Sequence, residues 1–220
     1  MSNEERIKIL EDKREKINNV SCSFCTAKWL QTTLLLQNGY NHSCHHPAPH
    51  KIPLSEIENN HKAIHNSKQK IEQRKSMLCG ERPGGCNYCY KMEDANSDTV
   101  SDRYLKSANL FEDRFDKIIS SGEGKDHLPS YLEVSFSNVC NFKCRMCWPK
   151  DSSKWMQDWD KVKQFYGDGD QNYIEEIVEG NDLRKTRVMN LYEKDEHFVG
   201  HLVELMEHID ELEFAGGEPL

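Results

Sequence analysis

Length, composition and charge exclude several classes of protein before any motif is considered. The chain has 220 residues, 36% hydrophobic and 30% charged, with 37 acidic against 29 basic side chains and a formal net charge of −8. Proteins that grip nucleic-acid phosphates carry excess Lys and Arg, so we predict no nucleic-acid partner. A polar chain of this kind has a small core, which often needs a bound metal or a disulfide as an additional source of stability.

The N-terminus and the hydropathy pattern predict a cytoplasmic protein without a membrane partner. The start of the chain is dense in charge and contains no apolar signal-peptide segment. No apolar run approaches the roughly 18 residues that a membrane span needs. In a reducing compartment, clustered cysteines serve metals or catalysis more often than disulfides, and this chain has nine cysteines.

Residues 1–120 predict a small Cys-rich α+β module. Ser2 and Glu5 have the spacing of a helical capping box, and the Asn-Gly pair at 38–39 is typical of a hairpin turn. The elements predicted in chain order are a helix over 3–18, a strand over 29–37, a loop over 42–53, a helix over 55–78, a Cys-rich turn over 83–90 and a polar helix or loop to about residue 119. The Gly- and Ser-containing stretch 120–126 is the predicted linker and domain boundary.

Residues 127–220 predict an alternation of strands and helices. The predicted elements are a strand over 131–137, helices over 151–166 and 171–180, insertion-like segments at 167–170 and 181–195, an amphipathic helix over 196–210 and a strand over 211–215. Strand, helix and strand in this order are typical of a parallel βαβ unit. The fold class predicted for the whole chain is therefore α/β.

Three cysteines follow the strand predicted over 131–137. Cys140, Cys144 and Cys147 have the spacing C-x3-C-x2-C, and sites in parallel α/β folds lie at the carboxyl ends of strands. Four thiolates would saturate a 4Fe-4S cluster. Three thiolates leave one iron open, and an open coordination position is what a metal needs to activate a substrate. A zinc loop is the simpler alternative for the spacing alone.

The segment VCNFKCRMCWP, which contains these cysteines, resembles the cluster loop of the radical S-adenosylmethionine (SAM) superfamily. The resemblance implies a SAM-binding 4Fe-4S cluster on Cys140, Cys144 and Cys147. It further implies an enzyme that cleaves SAM reductively to a 5′-deoxyadenosyl radical. Met146 is a departure, because the family more often has an aromatic residue before the third cysteine; Met is apolar and soft enough to replace it.

A second segment strengthens the resemblance. Gly216, Gly217, Glu218 and Pro219 follow the second predicted strand and resemble the GGEP motif that contacts the SAM amino group in this family. Glycines permit a close backbone approach to a ligand, and a carboxylate suits an ammonium group.

The N-terminal cysteines form a second pattern. Cys25 and Cys44 flank Gly39 in the spacing C-x13-G-x4-C, and Cys86-x2-Cys89 follows later. This pattern resembles the auxiliary-cluster twitch domain, a SPASM-like module of some radical SAM enzymes, although known members carry it after the barrel. The resemblance implies a second 4Fe-4S cluster on these cysteines.

Zinc is the alternative metal for the N-terminal cysteines. Four thiolates with a C-x2-C knuckle also make a structural zinc site, and His42, His45 and His46 surround Cys44 and could join it. Cys22, which forms its own C-x2-C with Cys25, is a substitute ligand in either case.

The resemblance divides the chain into a twitch-like auxiliary-cluster module over 1–120 and the first βαβ portion of a partial (β/α)6 radical SAM barrel over 127–220. Only the first strand, its helical connection and the second strand precede Leu220. We therefore expect either a truncated reading frame or a second polypeptide that completes the barrel.

The expected function is radical SAM chemistry, with a peptide or protein as substrate and an electron donor such as flavodoxin or ferredoxin. No catalytic side chain is assigned. Two alternatives stay open from the sequence: a zinc-binding, non-catalytic interaction module, and an inactive fragment that keeps a cluster without making a radical.

Overall fold

A computed structural model describes residues 2–36, 39–96, 98–109, 114–149, 151–168 and 196–217. These residues form a mixed α/β structure around one five-stranded sheet, which confirms the α/β prediction. The helices are α1 (Asn3–Val20), α2 (Ala27–Leu30), α3 (Leu54–Asn59), α4 (Lys68–Leu78), α5 (Asn87–Ala95), α6 (Asp102–Asn109), α7 (Phe115–Ser121), α8 (Trp159–Val162) and α9 (Glu196–Glu207). The strands are β1 (Gln31–Leu35), β2 (Tyr40–His42), β3 (His50–Lys51), β4 (Tyr131–Ser135) and β5 (Glu211–Ala215).

The sheet has the strand order β3-β2-β1-β4-β5. Strands β1, β4 and β5 are parallel, with Thr33 opposite Glu133 and Glu133 opposite Glu213. Strand β2 runs antiparallel to β1 and forms the predicted hairpin with it. Gly39 turns this hairpin with a φ of 75°, a backbone conformation that suits glycine. The parallel pairing of β4 and β5 confirms the predicted βαβ unit.

Helix α1 begins as the sequence predicts. Ser2 accepts a hydrogen bond from the Glu5 amide at 3.2 Å, and the Glu5 carboxylate accepts one from the Ser2 amide at 2.6 Å. The helix predicted over 55–78 is instead broken into α3, a 3-10 turn (His61–Ile64) and α4. Asn60 and Ser67 break it, because both side chains accept hydrogen bonds from nearby backbone amides and so compete with the helical ladder.

The strand predicted over 29–37 is shorter in the structure. Helix α2 occupies its first residues, and β1 covers Gln31–Leu35. The segment predicted as loop over 42–53 contains the two-residue strand β3. The helix predicted over 171–180 and the insertion-like segment at 181–195 lie outside the described residues.

Strand pairing and hydrogen bonds connect the parts of the chain on either side of the predicted linker at 120–126. Strand β1 from the first half pairs with β4 from the second, so a single sheet crosses this segment. The Trp29 indole donates to the Gly122 carbonyl at 2.9 Å, and Arg74 donates to the Gly124 carbonyl at 2.8 Å. Gly122 and Gly124 in this segment have φ values of 57° and 64°, and Gly124 packs against Trp29 and His127.

Two apolar clusters stabilise the sheet and the helices around it. One cluster lies along the sheet and includes Leu34, Ile57, Leu132 and Leu205, all at most 1% exposed. The other lies beside α2 and is formed by Ile17, Phe24, Trp29, Leu30, Met77, Tyr104 and Ile118. The cluster along the sheet joins residues from both sides of segment 120–126, whereas the cluster beside α2 contains only residues that precede this segment. No helix within the described part of the chain is long and apolar enough to cross a membrane.

Arg74 provides a test of this packing. Its guanidinium is 1% exposed and donates to the Lys28 carbonyl at 3.0 Å, the Asn66 side chain at 2.7 Å and the Gly124 carbonyl at 2.8 Å. We expect Arg74→Ala to lower the free energy of unfolding by about 3–5 kcal/mol, because buried acceptors lose their donors. Urea denaturation measures the loss. The matched control is Lys75→Ala on an exposed neighbour, with an expected change within about 0.5 kcal/mol; equal effects of the two variants would contradict the prediction.

Candidate functional site

The C-x3-C-x2-C segment lies at the carboxyl edge of the sheet. Strand β4 ends at Ser135, and the chain then forms a loop over 136–152 that contains Cys140, Cys144 and Cys147. Strand β5 runs parallel to β4, so the glycines that follow it emerge at the same edge. This edge is where parallel sheets place ligands.

Hydrogen bonds hold the shape of the 136–152 loop. Asn138 is fully buried; its side-chain amide donates to the Pro149 carbonyl at 2.8 Å, and its backbone carbonyl accepts from the Ser153 backbone amide at 2.7 Å. Ser152 donates to the Phe142 carbonyl at 2.6 Å, and the Trp155 indole donates to the Cys144 carbonyl at 3.0 Å. These hydrogen bonds connect the loop that carries the cysteines to itself and to the following residues 153–155.

The loop thiols are close enough to influence one another. Cys144 is exposed, and Cys140 and Cys147 are half-buried; none of them forms a disulfide. Burial raises the pKa of Cys147, and the neighbouring Cys144, Asp151 and Cys140 raise it further. The Cys140 sulfur accepts a hydrogen bond from the Phe142 amide at 3.3 Å, and such amide donors stabilise a metal-bound thiolate.

Gly216 and Gly217 pack directly against this loop. Their φ values are 78° and 59°. A Cβ atom on Gly216 would lie 2.2 Å from the Ser135 hydroxyl, and one on Gly217 would lie 2.5 Å from the Val139 carbonyl oxygen. The Gly217 amide donates to the Asp151 carbonyl at 2.9 Å. Only glycine fits at this close approach between the ends of β4 and β5.

Met146 and two aromatic residues, Phe142 and Trp148, lie on the loop beside the cysteines. Met146 is 92% exposed and Phe142 is 58% exposed, so both side chains stand at the open side of the loop. Trp148 stacks on Tyr166 with ring centroids 5.3 Å apart. Glu218 and Pro219 lie outside the described residues.

The four N-terminal cysteines of the predicted second site line one cavity. Cys25 precedes α2 and β1, and Cys44 follows β2, so the hairpin brings both to the same edge of the sheet. Helix α4 returns the chain, and a 3-10 turn (Gly84–Cys86) and α5 supply Cys86 and Cys89. The cavity is completed by Ala27, His46, Pro47, Met77, Tyr90, Asp102, Arg103 and Lys106.

Burial favours the protonated form of the thiols of Cys25, Cys44 and Cys89. Burial raises the pKa of Cys25 to about 12, and the nearby Cys44 and Cys86 raise it further. Burial likewise raises the pKa of Cys89 to about 11. Removing protons from several facing buried thiols is costly without positive charge in their midst. The donor set therefore suits a metal or a metal cluster, which supplies that charge.

Basic groups near the cavity lower the pKa values of Cys25 and Cys44, which burial raises. Arg103 lowers the pKa of Cys25, and Lys28 and Lys106 lower that of Cys44. The His46 amide donates a hydrogen bond to the Cys44 sulfur, which also lowers its pKa. These groups are placed to compensate the negative charge of bound thiolates.

Cys22 does not line this cavity. It is exposed, and its thiol donates to the Gly80 carbonyl at 3.5 Å. The expected substitute ligand thus faces the end of α4 instead.

The two cysteine sets lie at opposite ends of the sheet. The loop set follows the carboxyl end of β4, and the cavity set lies beyond the amino end of β1, which pairs in parallel with β4. A five-residue strand such as β1 spans about 13 Å at about 3.3 Å per residue. The two sites therefore stand apart by more than the length of a strand.

Sequence reasoning missed a third group beside the cavity. His45, His46 and Asp102 bring their ligand atoms within 4.8 Å of one another, and no other set of three His, Cys, Asp or Glu side chains among the described residues does so. The two histidines were predicted as neighbours of Cys44. Asp102 lies far along the chain, and no local spacing connects it to them.

No protein-family model matches this chain, and no curated protein and no solved structure is significantly similar to it.

Gly217→Ala tests the close approach at the carboxyl edge. The new Cβ would meet the Val139 carbonyl at 2.5 Å, so we expect a loss of about 2–4 kcal/mol in the free energy of unfolding from the combined clash and backbone strain. The control is Gly122→Ala, which also has a positive φ but has open space around the added carbon. Urea denaturation compares the two. An equal loss in both variants would mean that backbone conformation, and not close packing, requires Gly217.

Thiol reactivity tests the enclosure of the cysteine cavity. In metal-free, reduced protein at about pH 8, a thiol with a pKa of about 12 has a thiolate fraction of about 10⁻⁴. We expect iodoacetamide to modify Cys25 and Cys89 at least about tenfold more slowly than the exposed Cys22 and Cys144, as measured by peptide mass spectrometry. Because a raised pKa keeps the thiol protonated below it, the rates at Cys25 and Cys89 should increase about tenfold for each pH unit. Modification of Cys25 as fast as Cys144 at about pH 8 would contradict this assignment.

Proposed function

We propose that this chain is a radical SAM iron–sulfur enzyme, or the cluster-binding part of one. The observation that carries the proposal is the packing of the Gly216-Gly217 turn on the three-cysteine loop at the carboxyl ends of adjacent parallel strands. This arrangement is what the resemblance of the two motifs implies. It brings the three loop thiols and the closely packed Gly216-Gly217 backbone together at one open edge of the sheet.

The proposed ligands of the SAM cluster are Cys140, Cys144 and Cys147. A 4Fe-4S cluster bound there would supply reductive cleavage of SAM to a 5′-deoxyadenosyl radical, with the iron that lacks a protein ligand holding SAM. The hydrogen bond from the Asn138 side chain to the Pro149 carbonyl connects the two ends of the loop. The Gly216-Gly217 turn places its backbone against the same loop. The exposed Met146 and Phe142 offer apolar surface to a ligand at this edge.

The proposed auxiliary cluster takes Cys25, Cys44, Cys86 and Cys89. A single tetrahedral zinc, with bonds of about 2.3 Å, brings its sulfurs to about 3.8 Å from one another. No three cysteine sulfurs within the described residues lie within 4.8 Å of one another. A four-iron cube holds its ligands farther apart, because each thiolate binds a different iron. The lack of a cysteine set at zinc spacing among the described residues favours a 4Fe-4S cluster over a single zinc.

The position of the auxiliary site favours electron transfer or structural support over substrate binding. Four thiolates leave no iron open, and the site lies at the opposite end of the sheet from the SAM loop. A flavodoxin or ferredoxin would be the electron donor. The substrate that the resemblance favours is a peptide or protein.

The edge of β5 supports the expectation that further structure completes a (β/α)6 barrel. Strand β5 pairs only with β4 among the described strands, and Leu212 and Phe214 on it are 40% and 48% exposed. A parallel sheet normally has both faces covered. A second polypeptide or further strands of the same kind would bury this apolar surface.

Anaerobic reconstitution with iron and sulfide tests the proposal. We expect a brown protein in which Cys86→Ser removes about half of the bound iron and Cys144→Ser destabilises the other half, because each cube depends on its own thiolates. With SAM and dithionite, the wild type and Cys86→Ser should yield 5′-deoxyadenosine, and Cys144→Ser should yield none. The measurements are iron content and product chromatography, and Cys79→Ser, an exposed thiol outside both sets, is the control.

The alternatives give different results in the same experiment. A colourless protein that binds zinc at both cysteine sets would contradict the enzyme proposal and favour a zinc-binding interaction module. A brown protein with full iron but no SAM cleavage would favour an inactive fragment.

A further inference from the structure

A compact group of nitrogen and oxygen donors lies beside the cysteine cavity. The His46 ring nitrogen Nε2 is 2.7 Å from Asp102 Oδ2, and the His45 Nε2 is 3.3 Å from the same oxygen. The histidines belong to the loop after β2, and Asp102 is the first residue of α6. Tertiary folding alone brings these two segments together.

The rings are held in place by stacking. His46 stacks on Tyr88 with centroids 4.0 Å apart and an interplanar angle of 16°, and the His45 ring lies 4.2 Å from the His46 ring. The His46 and Asp102 side chains are 15% and 29% exposed, while His45 is 61% exposed. His46 and Asp102 thus form the more buried part of the group, and His45 forms the part that is open to solvent.

These distances suit a shared metal ion. Ligand bonds of about 2.0–2.2 Å to imidazole nitrogen and carboxylate oxygen place donor atoms about 3.0–3.4 Å apart. His45 Nε2 and Asp102 Oδ2, which are 3.3 Å apart, already have this separation. The His46 pair is a hydrogen bond, which would lengthen by a few tenths of an ångström when a metal replaces the shared proton.

We propose that His45, His46 and Asp102 form a mononuclear site for a borderline divalent transition metal such as zinc. Two imidazoles and one carboxylate suit such metals, whereas calcium and magnesium prefer oxygen ligands throughout. Three protein ligands leave a position open on the exposed side of His45, where water or a carboxylate from a partner molecule binds.

The proposed site adjoins the cysteine cavity, because His46 and Asp102 also line that cavity. The His46 amide donates to the Cys44 sulfur, while its ring faces Asp102. A divalent cation held there would add positive charge next to the thiolates and would favour the reduced form of any cluster in the cavity. The inference does not depend on which metal the cysteines hold.

The test uses the full chain after anaerobic iron–sulfur reconstitution. The protein is equilibrated with zinc alone at a buffered micromolar concentration, and iron and zinc are counted separately by elemental mass spectrometry. We expect one zinc per chain in the wild type and at least a tenfold weaker binding in His45→Ala and in Asp102→Asn, with unchanged iron. His208→Ala, an exposed histidine elsewhere, is the matched control and should keep the zinc.

X-ray absorption at the zinc edge identifies the ligands. Bonds of about 2.0–2.2 Å to nitrogen and oxygen support the site, whereas bonds of about 2.3 Å indicate sulfur. The inference is overturned if the wild type binds no zinc, if the zinc has only sulfur ligands, or if Asp102→Asn and His45→Ala keep wild-type affinity. In any of these cases, the three side chains form only a hydrogen-bonded link between the Cys44 loop and α6. Failure of the iron–sulfur proposal gives a different result from failure of the zinc proposal. If only the iron–sulfur proposal fails, the wild type lacks iron but still binds one nitrogen-ligated zinc, which His45→Ala and Asp102→Asn lose.

Discussion

The in-register parallel pairing of β4 between β1 and β5 is the constraint on which the rest of the structure depends. Through β1 it joins the hairpin that carries Cys44 to the strand that carries the three-cysteine loop. Through β5 it brings Gly216 and Gly217 to the same edge. Parallel strands cannot be joined by a tight turn, so each pairing closes a long stretch of chain and makes distant segments neighbours.

Close backbone packing and buried thiols give the two ends of the sheet different characters. At the carboxyl edge, the glycine turn lies so near the loop that a side chain would not fit, and the Cys144 thiol is exposed. At the amino edge, the thiols are enclosed, and burial raises the pKa of Cys25 to about 12. An open site suits binding of a small molecule, whereas an enclosed, thiol-saturated site suits a permanent metal group.

The separation of the two sites bears on the proposed chemistry. The two sites lie at opposite ends of the parallel strands β1 and β4. The cavity cysteines therefore do not border the region next to the loop cysteines. A substrate bound at the carboxyl edge would meet the loop and the glycine turn. The His45, His46 and Asp102 group extends the amino edge with a further donor set that faces solvent.

Local patterns in the sequence determined much of this protein. The capping box of α1, the hairpin at Gly39, strands β4 and β5 and the helix between them follow from residue spacing over a few positions, because capping, turn geometry and hydrophobic periodicity act over that range. The cysteine spacings likewise selected both sets of candidate ligands. The interruption of the 55–78 helix was missed, since Asn60 and Ser67 act through specific hydrogen bonds that periodicity does not register.

Only the tertiary structure decided how these parts meet. The 120–126 segment has the composition of a linker, yet Trp29 and Arg74 bind its carbonyls and one sheet crosses it. The joining of Asp102 to His45 and His46, and the placement of the two cysteine sets at opposite ends of the sheet, depend on contacts between segments that are far apart in the chain. Strand order and side-chain burial set those contacts, and neither is encoded in the spacing of any one motif.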